Sequence, residues 1–370
     1  MLGGRKVAIL GGDKLKDQYS LDFDGTNDFI DFEDTTLVDG LEDMTISMWV
    51  YPTDDSADEE LIDKGGYNTI GGSFHLSLDP TASSGRLRFS VESAGGSGGY
   101  YYRNSMNAKI PINTWTHVVI AYSNTDDSTN FYINGVSWPP TATGGSFIAI
   151  PSTSDNLYIG RSGSGYYKGM MSDVAIYNAN LSYSQVNTIY NGREPYNHRE
   201  GSFAKNLISW WRMGDGALDS FDTANGVICD ATDETLGPDL VTNGVFAADS
   251  GWTKGTGWTI GSGVATNAAN NNNLEQDISA VAGACYKITL DISAYTSGTL
   301  YADLGGGSYI TFSGAGTGYT GYLVTANTNN LRFYGGSFIG SIDNVVVQKL
   351  GGTSGAMINM EAADFVGDTP

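Results

Sequence analysis

From Tyr19 onward, apolar positions recur along the chain with a period close to two rather than the 3.6 of a helix. In MTISMWVYP, Ile46, Met48 and Val50 alternate with Thr45, Ser47, Trp49 and Tyr51, as they must if a pleated strand is to bury one face. The same alternation returns in SFHLSL (73–78), RLRFSV (86–91), TWTHVVIAY (114–122), NFYI (130–133), NLYI (156–159) and MSDVAIY (171–177). Asn134-Gly135 after NFYI is a turn dipeptide, because both residues tolerate positive φ. One helix is predicted over LSYSQVNTIYNG (181–192), with Ser182 as cap and Gly192 as stop. Residues 19–216 therefore read as one large antiparallel sandwich, preceded by a lead segment, 1–18.

A second stretch, 238–350, repeats the logic with shorter strands: WTI, NLEQDI, CYKITLDIS, TLYADL, YITF, GYLV, NLRFY and SIDNVVVQ, separated by turns rich in Gly and Asn. This suits a smaller all-β sandwich. Residues 217–237 read as a linker and 351–370 as a C-terminal tail without a clear period. The tetrapeptide GGSF, at Gly71, Gly144 and Gly335, reads as a turn followed by a strand start. The fold class is thus all-β, with two antiparallel sandwich domains.

Composition narrows what such a chain can do. Lys plus Arg is 19 and Asp plus Glu is 41, giving a formal charge of 19 − 41 = −22. A polyanion repels phosphates, so nucleic acid is not an expected partner. Acidic loops on a β scaffold instead suit a hard cation such as Ca²⁺. No apolar run reaches 18 residues, and the apolar core of the lead is only Val7–Leu10, so neither a membrane span nor a signal peptide is expected. Cys229 and Cys285 have no C-x-x-C spacing, which leaves one disulfide open and gives no metal site.

The stretch NTWTHVVIAYSNTDDSTNFYINGV resembles the central hairpin of concanavalin A-like, laminin G-like jelly rolls. SLDFDGTNDFIDF resembles their first strands, and GMMSDVAIYNANLSYSQVNTIYNG their closing strand and terminal helix. DLVTNGVF, GWTKGTGWTIGSGVAT, NLEQDISAVAGACYKITLDIS and GSIDNVVVQKL are similar to a carbohydrate-binding-module jelly roll. NLISWWRMGDG and MINMEAADFVGDTP resemble the tail of laminin G-like structural proteins of bacteriophages, where only a short polar stretch separates the two pieces. Here the second jelly roll lies between them and reads as an insertion into that tail. The resemblances imply a non-enzymatic virion structural protein, in a capsid decoration, head fibre or tail-associated role. Its lectin-like modules would face solvent at the virion surface. The implied partners are other virion proteins, copies of itself and host-surface glycans, with the lead and the tail docking on the particle. A secreted glycan-binding or glycan-degrading protein is the alternative.

Candidate sites follow from the same reading. Sugar binding needs aromatic rings displayed beside polar groups, and Tyr100, Tyr101, Tyr102, Tyr166 and Tyr167 sit beside glycine loops, with Trp138 after the hairpin. Trp252 and Trp258 fit a core equally well. For a structural Ca²⁺, Asp24 and Asp173 are the candidates in the first domain. The module resemblance implies Asn243 and Asp343 in the second. GGSGG (95–99) matches a nucleophile elbow in letters only, since Ser97 lacks the strand-turn-helix setting. Asp31 and Glu33 share one face of a predicted strand, but the glycosidase arrangement of acids alternating along an apolar strand is missing, so no catalytic residue is assigned. His75, His117 and His198 have no metal spacing, and His117 is expected to be packed or hydrogen-bonded. In SWWRMGDG, Trp210 and Trp211 must point to opposite faces of a strand.

Overall fold

A computed structural model of the chain describes residues 17–33, 35–54, 59–65, 72–79, 86–92, 100–105, 110–163, 165–215, 227–232, 235–281, 284–304, 309–325, 330–360 and 362–370. The regular structure in them is strand, apart from the helix Tyr183–Tyr190 and two single 3-10 turns. No helix among them is long and apolar enough to cross a membrane.

Two antiparallel sheets make the first sandwich. The first runs in the order Val136–Trp138, Ser128–Ile133, Thr116–Ser123, Asp43–Pro52, Lys168–Tyr177, Ser20–Asp24 and Phe365–Val366, with Leu207–Trp211 also paired to Lys168–Tyr177. The second runs Pro140–Gly144, Tyr100–Ser105, Arg86–Glu92, Phe74–Asp79, Glu59–Lys64, Leu157–Ile159, Phe29–Asp31, Gly355–Ile358 and Val227–Ile228. Met44, Ile46, Met48 and Val50 enter the core between the sheets and meet Phe74, Leu76, Phe89 and Ile159 from the other side.

The first sheet is apolar on its outer face as well. There Val119, Ala121, Tyr132, Tyr177 and Trp210 pack under Leu181, Val186, Ile189 and Phe203, so the helix segment closes that face. The helix starts where the sequence predicts: the Gln185 side chain accepts from the Ser182 N–H at 2.8 Å, and Asn191 (φ 50°) and Gly192 (φ 71°) end it in left-handed conformations. Because both faces are covered, Trp49 and His117 are buried along with the apolar positions between them.

In SWWRMGDG the two tryptophans part as a strand requires. Trp211 lies in the core against Phe32, with ring centroids 4.4 Å apart, and Trp210 lies in the outer cluster. The Trp211 Nε1–H donates to the Thr353 carbonyl at 2.6 Å. Asp230 ties the same region together, accepting from the backbone N–H groups of Trp210 (3.0 Å) and Thr353 (2.9 Å).

Residues 351–370, predicted as a tail, are built into this sandwich. Gly355–Ile358 pairs with Phe29–Asp31 and with Val227–Ile228, which lies in the predicted linker, and Phe365–Val366 pairs with Ser20–Asp24. Met357 and Met360 are buried in its core. Strands of two to four residues are too short to display a period, and their partners are remote in sequence.

The second sandwich is built on two long strands, Cys285–Leu304 and Asn330–Leu350, which pair with each other along most of their length. The sequence predicts two strands in each, broken at AYTSG and at GGSF. The structure replaces both turns by register shifts, including those at Tyr295/Ser297 and Thr299. Such bulges bend a strand without ending it, so one hydrogen-bonded sheet wraps around the core. Gly335 to Phe338 therefore lies within a strand. Trp252 and Trp258 are core residues here.

Candidate functional site

The second sheet of the first sandwich differs from the first in its outer face, which is polar. Alternation from the core positions Ile30, Leu157, Ile62, Phe74 and Phe89 turns Asp31, Tyr158, Asp63, His75 and Ser90 outward. The register places them in one row across five strands: Asp31 opposite Tyr158, Tyr158 opposite Asp63, Asp63 opposite His75, and His75 opposite Ser90. His75 Nε2 is bonded to the Glu60 carboxylate, and Asp79 takes Arg88 at 2.9 Å and Arg86 at 3.4 Å. Ser77 and Ser90 are fully buried, yet neither hydroxyl has a hydrogen-bond partner among the described residues. Buried polar atoms are almost always paired, so each orphan is informative, although the outer face of the first sheet holds one as well, His117 Nδ1.

At the Asp31 end of the row lies an open pocket of about 360 Å³, lined by Asp63, Gly65, Asp155, Asn156, Tyr158 and Arg161 among others. Gly65 (φ 99°) is required by the close approach of the chain, since a Cβ there would stand 2.6 Å from Gly72 Cα and 2.8 Å from the Asp155 carboxylate. One wall is aromatic. The Arg161 guanidinium sits 4.6 Å from the Phe29 ring centroid, 5.0 Å from Tyr158 and 5.9 Å from Tyr166, while Phe29 meets Tyr158 edge-on at 5.5 Å. Arg161 Nε donates to the Gly163 carbonyl at 3.3 Å, and the cation–π contacts hold the head group over the rings.

Opposite lie the carboxyls of Asp63 and Asp155 and the amide of Asn156, and behind Asn156 stand two more acids, Asp31 and Glu33, that do not line the pocket themselves. Asn156 Nδ2 donates to Asp31 Oδ1 at 3.0 Å and lies 3.5 Å from Glu33 Oε2, and the Glu33 N–H donates to Asp31 Oδ1 at 2.8 Å. Burial raises both carboxyl pKa values, and for Glu33 the neighbouring Asp31 charge adds to it. Burial, then Asp31, likewise raises the Tyr158 phenol. The pocket thus offers ring faces, a guanidinium, an amide and carboxylates within one half-buried space. That is the chemistry of a polyhydroxylated ligand with one apolar face.

Of the residues predicted to bind sugar, Tyr166 stands behind this wall, with its ring 5.9 Å from the Arg161 guanidinium, and is not among the residues that line the pocket. Tyr167 is fully buried, edge-on to Phe23 at 5.8 Å, and its hydroxyl donates to the Met170 carbonyl at 3.1 Å. Adjacent residues in an extended segment face opposite ways, so the two cannot be displayed together. Trp138 ends the edge strand of the other sheet, opposite Phe131, and packs half-buried against the core. The backbone of Tyr100, Tyr101 and Tyr102 forms a strand opposite Glu92, Val91 and Ser90, which sets Tyr102 at the next register position of the polar row. Their side chains, and Ser97, lie outside the described residues.

The calcium candidates do not gather into one donor set. Asp24 stands opposite Lys168, five positions along the strand from Asp173, or roughly 16 Å. The Asp24 carboxylate accepts from the backbone N–H groups of Thr26 (2.7 Å) and Asn27 (3.1 Å). Asp173 is buried on the outer face of the first sheet, where it accepts from Trp210 Nε1 and His198 Nε2. Asn243 turns its amide N–H groups into its own loop, onto the carbonyls of Ala248 (2.7 Å) and Ser250 (2.8 Å). Asp343 stands opposite Asp291 and accepts from the Asn344 N–H. Among the described residues no group of three or more His, Cys, Asp or Glu is placed to hold a metal ion. His117 is buried against Trp49 and Tyr190, bonded to Ser47 Oγ at 2.9 Å, with its pKa pushed down to about 3 by burial.

The sequence names Tyr166 as a sugar-binding candidate and singles out Asp31 and Glu33 only as acids to which no role is assigned, while Asn156, Tyr158 and Arg161 are not singled out at all. Only the pairing of Leu157–Ile159 beside Phe29–Asp31 brings those to the acids.

Comparison with known proteins bears on this sandwich. Residues 24–187 match the laminin G-type family model described as the concanavalin A-like lectin/glucanases superfamily. The first sandwich is a concanavalin A-like, laminin G-like jelly roll. Solved structures similar to the chain include a native heptameric SAP-like pentraxin from Limulus polyphemus, at 18% identity over 48% of this chain and 85% of that one, with a TM-score of 0.38. Another is the CBM40 domain of a Ruminococcus gnavus IT-sialidase bound to α2,3-sialyllactose, at 16% identity over 46% and 96%, with a TM-score of 0.39. A third is domain 4 of an extracellular arabinanase from Geobacillus stearothermophilus in complex with arabinotriose, at 20% identity over 50% and 85%, with a TM-score of 0.36. No curated protein matches the sequence. The polar row and the pocket both lie on the concanavalin A-like jelly roll.

Proposed function

We propose that the chain is a non-enzymatic glycan-binding protein whose first sandwich takes a sugar in the pocket between Tyr158 and Asn156. The observation that carries this reading is the pocket itself, with an aromatic and guanidinium wall facing an amide and carboxylates on the polar face of a lectin-type jelly roll. The acids support binding over cleavage. Glycoside hydrolysis needs two carboxyls about 5 to 9.5 Å apart with sugar or water between them, whereas Asp31 and Glu33 are both tied to the Asn156 amide.

The setting we propose is the outside of a bacteriophage particle. It is supported by the resemblance of NLISWWRMGDG and MINMEAADFVGDTP to phage structural proteins, and by the way the two pieces meet, with Gly214 so close to the Phe365 ring that a Cβ there would stand 2.7 Å from it.

A glycan array run on the full chain, with and without EDTA, tests the sugar reading. Binding to a defined set of glycans is expected, reduced about tenfold in Tyr158→Ala by loss of ring contact. Unchanged binding in that variant would remove the pocket from the reading. Release of shortened glycan, abolished in Glu33→Gln, would replace it with a hydrolase.

A further inference from the structure

The chain has two cysteines, and they belong to different sandwiches. Cys229 follows Val227–Ile228, the last strand in the second sheet of the first sandwich. Cys285 opens the long strand Cys285–Leu304 of the second. Both are buried thiols, 2% and 3% exposed, and with Leu350 they form a small apolar cluster of their own, flanked by Leu236 and Tyr322. The register explains the meeting. Cys285 stands opposite Val324 at the end of the strand Gly316–Val324, and that strand passes close to Val227–Ile228. The pair Tyr286–Lys349, carried one position further, sets Cys285 beside Leu350.

The cluster sits at the neck between the sandwiches. The chain leaves the first sandwich after Thr232 and returns to it at Thr353, and the outgoing and returning segments lie side by side. Leu236 is opposite Leu350, and the Gly351 N–H donates to the Thr235 carbonyl at 3.0 Å. On the side of the first sandwich, Asp230 accepts from the Thr353 N–H at 2.9 Å. Gly352 (φ 66°) makes the close passage, since a Cβ there would stand 2.5 Å from Asp230 Cβ. Leu350, Gly351 and Gly352 also line an open pocket of about 530 Å³, together with Tyr286 and Val281, so a small solute reaches the edge of the thiol cluster.

We propose that Cys229 and Cys285 are a disulfide-forming pair that locks the second sandwich onto the first under oxidising conditions. The two thiols of the whole chain occupy one cluster of three buried residues, where any small apolar side chain would serve packing equally well. A disulfide joins Cα atoms about 4.5 to 7 Å apart, the spacing of neighbours in such a cluster. With a small disulfide such as oxidised glutathione as the oxidant, one cysteine thiolate attacks a sulfur of the oxidant, a mixed disulfide forms and a glutathione thiolate leaves. The second cysteine thiolate then attacks the protein sulfur of the mixed disulfide and expels the other glutathione thiolate. One protein S–S bond is made, the oxidant takes up two electrons, and the two thiol protons end on the two glutathione sulfurs. The bond is a third covalent crossing beside the two of the neck, and it constrains the unfolded second sandwich as well as the folded one. In a reducing cytosol the same pair stays as thiols. The inference uses no residue of the sugar pocket and is independent of the sugar reading.

Oxidation of the full chain tests it. The reduced protein is incubated with oxidised glutathione, denatured in N-ethylmaleimide, and its intact mass is measured. The expected product is a monomer lighter by two hydrogens that takes up no maleimide, with the Cys229 and Cys285 peptides linked in a non-reducing digest. Cys229→Ser and Cys285→Ser should each stop at the glutathione adduct, because no second thiol displaces it. Melting of the oxidised chain should rise by about 5 °C and return to its starting value with dithiothreitol, while Cys285→Ser treated alike should show no rise. Maleimide on both cysteines after the oxidant, a glutathione on each, or disulfide-linked dimers would overturn the pair. A linked chain whose melting is unchanged would overturn the lock.

Discussion

The two sheets of the first sandwich share a core but treat their outer faces in opposite ways. On the first sheet, Asp173, His198, Tyr177 and Trp210 form a buried polar chain in which Asp173 accepts from both His198 and Trp210, and Tyr177 bonds His198. The helix segment lies over them. On the second sheet, the row from Asp31 to Ser90 is equally polar, yet its face carries two buried hydroxyls, Ser77 and Ser90, without partners among the described residues, and it ends in an open pocket. A polar residue on a sheet is therefore no sign of function by itself. What separates the faces is cover. The helix segment lies over His198, whose ring bonds Asp173 and Tyr177, whereas Ser90 lies on the face that ends in the open pocket. Each face keeps a buried polar atom without a partner among the described residues, His117 Nδ1 on the first.

The largest effect should come from neither face but from the core they share. Trp211→Ala removes a fully buried ring packed on Phe32, and a loss of about 3–5 kcal/mol is expected in urea unfolding of the full chain. A loss below about 1 kcal/mol would mean that the ring does not fill the core, and the two faces would no longer be two sides of one packed layer.

A smaller effect sharpens the contrast through pH. His117, on the sealed side, is held at about 3 by burial, while an unfolded histidine titrates near 6.5. The unfolded chain therefore binds a proton that the folded chain refuses, and stability falls as pH drops from about 6.5 towards 3. Glu59, in the second sheet, behaves oppositely. Burial lifts its carboxyl to about 7, so its contribution is whole below its ordinary value of 4.5 and is lost as pH rises to about 7. Melting temperatures measured from pH 3.5 to 8 should show His117→Gln flattening the acid limb and Glu59→Gln the limb toward neutrality. Identical profiles for both variants would show that burial does not set these two groups apart.

Much of this was legible in the chain itself. Alternation in MTISMWVYP and TWTHVVIAY placed the core, Ser182 placed the helix, and the opposed faces of Trp210 and Trp211 followed from strand geometry. Short pairings were not legible. Nothing local in GAMI or FV marks a strand, because each gains its hydrogen bonds only from a distant partner. The sites were legible in halves for a related reason. Asp31 and Glu33 are close in sequence, but Asn156 and Arg161 reach them across strands. Cys229 and Cys285 are distant in sequence, and only the packing of the two sandwiches brings them into one cluster.

The smallest expected change probes the distinction most directly. Ser77→Ala and Ser90→Ala remove buried hydroxyls that bond nothing among the described residues, so their desolvation is a cost with no compensating hydrogen bond. The double variant should keep its stability within about 0.5 kcal/mol or gain slightly, whereas His198→Ala on the sealed face, which strips a partner from buried Asp173, should cost about 3 kcal/mol. Chemical unfolding of the two variants under one condition gives the comparison. A loss above 1 kcal/mol in the serine variant would show that those hydroxyls are satisfied in the fold, and the second face would then be sealed like the first. Unchanged stability combined with weaker glycan binding would make the two serines part of the surface that meets the sugar.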